Sequence, residues 1–168
     1  MKLEVSGLLD FKNYLKLTYY LIYKKKGIIL ATLASVMTFI IYIYDFINPE
    51  SVIESGQYVF FILSIFILFG FPVLFYFQSK NYYKSNSFIN EKIKYIIDEN
   101  EIVAVTDTNN YSTIWNNINK VIILKNWIMI FTTNTSSFPL HKSFFHEWQF
   151  NELKIFIKEN YRSKIKKF

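Results

Sequence analysis

Two long stretches of the chain, 27–44 and 58–77, contain no charged residue. An α-helix rises about 1.5 Å per residue, so each stretch reaches roughly 30 Å, the thickness of the hydrocarbon core of a bilayer. The segment between them, 45–57, carries three acidic residues, an Asn-Pro step and a glycine, and is too short to form a domain. The pattern therefore predicts a transmembrane hairpin over 27–80, with 45–57 turning the chain.

After the hairpin, the hydrophobic residues no longer follow helical spacing. Instead, β-branched and aromatic residues alternate with polar ones, as in strands. Clusters rich in Asp and Asn separate these runs, as turns do. The predicted strands are 92–97, 101–106, 111–115, 120–124, 127–132 and 138–140. Six short strands in so little chain predict an antiparallel sheet that closes on itself, capped by a helix over 145–166. The predicted fold class is therefore an α+β membrane protein, with a small antiparallel β-sheet or barrel following the hairpin.

The segment before the hairpin predicts an amphipathic helix over 10–23, with Asp10 as its N-cap. Two interpretations of this helix stay open: it lies in the membrane interface, or it packs on the β domain. The predicted division of the chain is 1–26 as a juxtamembrane segment, 27–80 as the hairpin and 81–168 as a cytoplasmic domain.

The charge distribution predicts the orientation of the hairpin. Lysines gather at 24–26 and at Lys80, whereas the 45–57 loop holds acids and no base. Cytoplasmic flanks of membrane spans collect Lys and Arg, so both termini are predicted to be cytoplasmic in a multi-pass protein of the plasma membrane. The bias toward Lys, Asn, Ile, Tyr and Phe indicates an AT-rich bacterial genome.

The first apolar stretch carries small residues at four-residue intervals: Gly27, Ala31 and Ser35. Small residues let helix backbones approach closely in lipid, so this row predicts the seam with the second helix or with a second copy of the chain. In the second stretch, Gly70 and Pro72 predict a kink in the helix, because proline removes a backbone hydrogen bond.

The C-terminal helix is predicted to bury a stripe of apolar side chains and to carry bases along its flank. The predicted stripe is Trp148, Leu153, Phe156, Ile157, Tyr161 and Ile165. The candidate contacts for a lipid or protein partner are His141, Lys142, Lys154, Lys158, Arg162 and Lys166. A basic helix flank is attracted to anionic lipid. The favoured alternative is a helix that plugs the open end of the sheet and leaves its basic face in solvent, because the apolar stripe is wide enough to be buried against strands.

The sequence carries no signature of catalysis. It has no cysteine, and its four glycines do not form a phosphate-binding loop. His141 and His146 are the only histidines and lack the further ligands that a zinc site needs. Trp115 and Trp127 lie in hydrophobic strands with few bases, so they predict core packing and not stacking on nucleic acid. We therefore expect no enzyme activity, no cofactor, no metal and no nucleic-acid partner.

Two N-terminal spans followed by a Trp-x-x-Ile-x-x-Val pattern and a proline strand resemble the YcxB-like family of bacterial membrane proteins. Here the pattern is Trp115, Ile118 and Val121, followed by the strand 127–131 and then by 138–144 with Pro139. In that family a basic pair usually follows the proline directly, whereas this chain has His141 and Lys142 one place later. The resemblance implies a C-terminal domain similar to pleckstrin-homology domains, with about seven strands and one capping helix, and it implies no reaction.

Two classes of function are consistent with these features. The first is a non-catalytic membrane anchor that presents a small cytoplasmic domain to a protein or lipid partner, of which an immunity-type protein is one specific form. The second is an oligomeric channel or transporter component, in which a homo-oligomer forms through the small residues of the first span. Discrete oligomers and conductance would distinguish the second class from the first.

Overall fold

A computed structural model describes residues 2–48, 57–134, 136–146 and 148–166 of the chain, which divide into two compact units. The first unit consists of residues 1–10 and 84–168, and the second is the continuous segment 11–83 between these two pieces. The chain is α+β, with two long apolar helices, antiparallel sheets and a C-terminal helix. Most of the linker predicted over 45–57 falls at 49–56, outside the described residues.

The second unit contains the apolar helices. Helix α1 spans Phe11–Tyr23 and α2 spans Lys26–Ile47. A second long helix is formed by α3 at Gln57–Ile65, a π-helical turn at Phe66–Gly70 and α4 at Phe71–Ser85.

Both long helices are apolar and long enough to cross a bilayer, and little of either is covered by protein. Only 11% of the most apolar window of α2 is buried, and 6% of the corresponding window of the second helix. A core helix of a soluble protein is mostly buried, so this exposure agrees with the lipid-facing spans that the sequence predicts.

A π-helical turn lies at the position where Gly70 and Pro72 predict a kink. The Phe71 N–H donates to the Phe66 carbonyl, one residue further back than in an α-helix. Pro72 has no N–H to donate, so one helical hydrogen bond is missing at this residue. The π-helical turn lies directly before it, where the α-helical hydrogen-bonding pattern is already interrupted.

Helix α1 packs against α4. The Tyr19 hydroxyl donates to the Pro72 carbonyl over 2.6 Å. The Phe11 ring meets the rings of Tyr76 and Tyr83 edge to face, with centroids 5.7 and 5.4 Å apart. Through these contacts the apolar stripe of α1 packs on the end of the second long helix. The sequence interpretations had considered the membrane interface and the β domain, and not this helix.

Among its described residues, the first unit holds seven strands in two antiparallel sheets. The four-stranded sheet has the order β1-β2-β3-β4 and the three-stranded sheet the order β5-β6-β7. The strands are β1 Leu3–Leu8, β2 Lys92–Ile97, β3 Glu101–Val105, β4 Asn110–Ile114, β5 Lys120–Ile123, β6 Trp127–Phe131 and β7 Ser137–His141. The short helix α5 spans Ser87–Asn90, and α6 spans Gln149–Asn160.

The strands from β2 onward lie where the sequence predicts them, but they do not close on themselves. The sequence predicted either a sheet or a closed barrel. Among the described residues the two sheets remain separate, so the closed barrel is wrong. The sheets face each other across a shared core, in which the fully buried Tyr95 of β2 donates its hydroxyl to the Pro139 carbonyl of β7 over 3.3 Å. Pro139 lies on an edge strand, where a missing N–H costs no ladder bond.

Strand β1 was not predicted, and it changes the division of the chain. Residues 3–8 do not belong with the juxtamembrane helix, because they pair antiparallel with β2, from Leu3 opposite Ile97 to Leu8 opposite Lys92. The hairpin-bearing unit is thus inserted between two neighbouring strands of one sheet.

The C-terminal helix is shorter than predicted. Helix α6 ends at Asn160, and Arg162–Lys164 forms a 3-10 turn. Beyond the turn, Ile165 makes a parallel bridge to Val121 and the Lys166 N–H donates to the Val121 carbonyl. Ile165 and Lys166 therefore lie along β5 instead of continuing the helix, because their backbone groups find partners at that sheet edge.

Candidate functional site

The candidate site lies on the first unit, where the end of β7 meets α6. Helix α6 buries Phe150, Leu153 and Ile157, which recur at intervals of three and four residues. This spacing turns the side chains between them outward. The outer face and flank of α6 then carry Trp148, Asn151, Lys154, Ile155, Lys158 and Glu159.

Lys142, Lys154 and Lys158 share one surface, which we call the lysine cluster. Lys154 places its Nζ 4.3 Å from the centroid of the Phe150 ring. Partial burial lowers the pKa of Lys154, and the neighbouring charges of Lys142 and Lys158 lower it further. Two of the lysines are four residues apart on one helix, and Lys142 reaches the same surface from the 3-10 turn after β7. The fold thus brings together bases from two separate segments.

His141 lies beside this cluster but plays a different part. Its ring packs against Trp127, with centroids 4.4 Å apart. Its Nδ1 accepts the Ser143 N–H over 3.3 Å and lies 2.7 Å from the Ser143 hydroxyl, so it caps the short turn that carries Lys142. Burial lowers the pKa of His141, and the charge of Asp10 opposes that shift only in part. The side chain therefore acts as a half-buried packing residue that orients the turn.

Arg162 and Lys166 are separated from the lysine cluster by the end of α6. Both are exposed, Arg162 in the final 3-10 turn and Lys166 beside β5. The base between them, Lys164, has an internal role that sequence reasoning missed. Its Nζ donates to the carbonyls of Trp115 and Asn116 over 2.8 and 2.7 Å. These bonds supply hydrogen-bond donors to two carbonyl groups of the 3-10 turn at Trp115–Asn117.

The two tryptophans that the sequence placed in strands are core residues, as predicted. Trp115 is 1% exposed, stacks on Tyr161 with centroids 4.8 Å apart, and donates its Nε1–H to the Asp98 carbonyl over 2.8 Å. Trp127 is also buried. Trp148 is the opposite case: it is 64% exposed, although the sequence predicted it in the buried stripe. The omitted Phe150 takes that place, and its spacing to Leu153 and Ile157 was the available signal.

The small residues that the sequence predicts to pack against another helix are buried to different extents along α2. Ser35 is buried and donates to the Ala31 carbonyl over 2.8 Å, and Ala31 is half-buried. Gly27 is exposed, with nothing within 4 Å of where its Cβ would be. Aromatic rings also contact each other between the long helices, where Tyr42 and Phe61 stack with centroids 3.9 Å apart.

Metal-ligating side chains do not gather anywhere in the described part of the chain, where no group of three or more is close enough to hold an ion. The groove lined by Ser6, Lys92, Lys94, Val105, Thr106 and Asp107 is open and shallow. Lys94 in this groove already pairs with Glu4 over 3.0 Å.

Comparison with known proteins gives one match. Residues 97–157 match the model of the family described as YcxB-like protein. No curated protein and no solved structure matches the chain. The matched region runs from the end of β2 into α6, so it includes Trp115, Pro139, Lys142 and Lys154. It covers a little over a third of the chain and confirms, over residues 97–157, the resemblance to YcxB-like proteins that the Trp115, Ile118 and Val121 pattern predicts.

Proposed function

We propose that this chain is a non-catalytic, membrane-anchored protein that presents its α+β unit to an acidic protein or lipid partner. The observation that carries the proposal is the convergence of Lys142, Lys154 and Lys158 on one surface. Such a concentration of charge attracts and orients an anionic partner. Anchoring raises the effective concentration at the membrane, so weak contacts suffice for binding.

The connectivity of the sheet supports the proposed hairpin topology. Strand β1 precedes the apolar helices, β2 follows them, and the two strands pair. Paired strands must lie on the same side of a membrane, so the chain between them crosses an even number of times. Two spans satisfy this condition, and Lys24, Lys25, Lys26 and Lys80 favour the cytoplasmic side of a bacterial plasma membrane for both termini.

The proposal is tested by photo-crosslinking in native membranes. A photoreactive amino acid replaces Lys158 in the full chain, and the adducts are identified by mass spectrometry. We expect adducts with an acidic protein or with anionic lipid, and we expect far fewer from a probe at Lys125, an exposed lysine in the turn between β5 and β6. A recovered toxin would identify the immunity-type form of this function. Equal, non-selective labelling from both positions would contradict the proposal.

A further inference from the structure

The outer face of α6 carries an apolar ridge with a cationic border. Trp148 and Ile155 are 64% and 55% exposed, and they lie seven residues apart, two turns along the same side of the helix. Lys158 follows Ile155 by three residues, and Lys154 lies on the same flank of the helix. We call this surface the α6 ridge: Trp148 and Ile155, with Lys142, Lys154 and Lys158 along one border.

The composition of the α6 ridge matches the membrane–water interface. The indole ring of tryptophan is large and apolar but carries one N–H donor, which is why tryptophan collects at the level of the lipid headgroups. Lysine extends its ammonium group toward phosphates while its methylene stem stays on apolar surface. Glu152 and Glu159 lie four residues after Trp148 and Ile155, on the other border. The charge along the α6 ridge is therefore asymmetric, with bases on one border and acids on the other. This asymmetry favours a tilted contact in which the lysine border lies nearest the lipid.

The connection between the second long helix and the first unit is short. The apolar stretch of this helix ends at residue 77, and the first unit begins at Lys84. A connection of so few helical residues spans about 10 Å. In the proposed membrane topology, the first unit is thus tethered within reach of the bilayer surface, where anionic headgroups are abundant.

We propose that the α6 ridge docks on the anionic lipid surface, with Trp148 and Ile155 entering the headgroup layer and the lysine cluster binding lipid phosphates. This inference deepens the proposed function, on which it rests, by selecting the lipid surface as the occupant of this face. The positive border of the α6 ridge complements the negative charge of such lipids. A protein partner that bound the α6 ridge would need an acidic groove to complement it. The experiment below distinguishes such a protein from the lipid surface.

The experiment uses the full chain in liposomes. Because the sequence has no cysteine, Ile155→Cys accepts a single environment-sensitive fluorophore. We expect a blue-shifted, brighter emission in vesicles of phosphatidylcholine with phosphatidylglycerol than in phosphatidylcholine alone, and a loss of the difference at high salt. A fluorophore at Tyr111→Cys, an exposed position on edge strand β4, should give the same emission in both lipids.

Charge reversal gives the second arm. Lys142→Glu with Lys158→Glu should lower the ratio of docked to undocked chains about thirtyfold, corresponding to about 1 kcal/mol for each lysine. The matched control is Lys92→Glu with Lys125→Glu, which changes the net charge equally at two other exposed positions and should preserve docking. Circular dichroism verifies that both variants keep the fold.

Three results would overturn the inference: no dependence on anionic lipid at position 155, a blue shift in both lipids that charge reversal leaves intact, or equal loss in the two charge-reversed variants. Its failure is distinguishable from failure of the proposed function. A protein adduct at position 158 in native membranes, without lipid-dependent emission in liposomes, would retain the interaction module and exclude the lipid surface as its partner.

Discussion

At the scale of single residues, two glycines show how local surroundings decide the effect of one methyl group. Gly7 in β1 lies directly against the ring of Phe144, and a Cβ added there would overlap the ring. Gly27, at the start of α2, has open space in the same direction. Close packing therefore requires glycine at position 7 and not at position 27.

We expect Gly7→Ala to lower the free energy of unfolding by about 1–3 kcal/mol, since the buried Phe144 ring must move. Gly27→Ala is the control and should be neutral or stabilising by up to about 1 kcal/mol, because alanine favours a helix. Denaturant unfolding in detergent, followed by circular dichroism, measures both. Phe144→Leu should partly rescue Gly7→Ala, and equal stability of the two single variants would contradict this account.

His141 predicts a pH dependence of stability. Burial lowers its folded pKa below the ordinary 6.5, so the unfolded chain takes up the proton first as pH falls. The contribution of this residue is therefore fully present above pH 6.5 and is lost as pH decreases through 6.5 toward the folded pKa. His141→Gln should flatten the stability profile between about pH 7.5 and 5.5. An unchanged slope in that window would show that His141 is not the group responsible.

At the scale of elements, the position of α1 is decided by its tyrosines. Tyr19 donates to the Pro72 carbonyl and its ring meets Phe75 edge to face, with centroids 5.1 Å apart. Burial raises the pKa of Tyr14 to about 12, and the neighbouring Tyr82 adds to this shift. The stripe of α1 is therefore a docking surface for α4, beside the π-helical turn.

We expect Tyr19→Phe to loosen α1, because it removes a hydrogen bond worth about 1 kcal/mol while keeping the ring. Hydrogen exchange of the α1 amides in detergent measures the effect, and exchange should be severalfold faster. Tyr20→Phe is the matched control, since Tyr20 is exposed and its hydroxyl is not part of this contact. Equal exchange in the two variants would show that the Tyr19 hydroxyl does not hold α1.

At the scale of the whole molecule, the insertion of the two long apolar helices between β1 and β2 makes the two units interdependent. The α+β unit is complete only when residues 1–10 return to the sheet after two long helices have been made. Contacts of such large sequence separation form late, because loop closure must precede them. In the proposed membrane topology, we therefore expect the two helices to insert before the sheet is completed.

A designed disulfide tests this architecture. Ser6 and Lys94 are directly opposed on β1 and β2, and both are exposed. In the cysteine-free background, Ser6→Cys with Lys94→Cys should oxidise readily in membranes and give a faster-migrating band on non-reducing gels. The control, Ser6→Cys with Ser112→Cys, places the pair three strands apart, about 14 Å, and should remain reduced. Failure of the first pair to oxidise would contradict the β1–β2 pairing.

Much of the fold was predictable because its signals are local. The charge-free stretches are visible without a structure, and Lys92–Ile97 has the predicted bounds because buried Ile93, Tyr95 and Ile97 alternate with less buried neighbours. Strand β1 was missed because its partner lies beyond the hairpin, and a six-residue run with Gly7 is a weak signal alone. The end of α6 was misplaced because the competing partner, the edge of β5, is not adjacent in sequence.

By itself, the sequence determined the class of the protein: two apolar helices of spanning length, an antiparallel α+β unit, and the pattern that resembles YcxB-like proteins. These features depend on composition and short-range periodicity, which each segment carries independently. Only the tertiary structure decided which lysines share one surface, that Trp148 lies outside the core, and that β1 pairs with β2 across the inserted helices. Those outcomes depend on contacts between residues far apart in the chain, and local pattern does not encode such contacts.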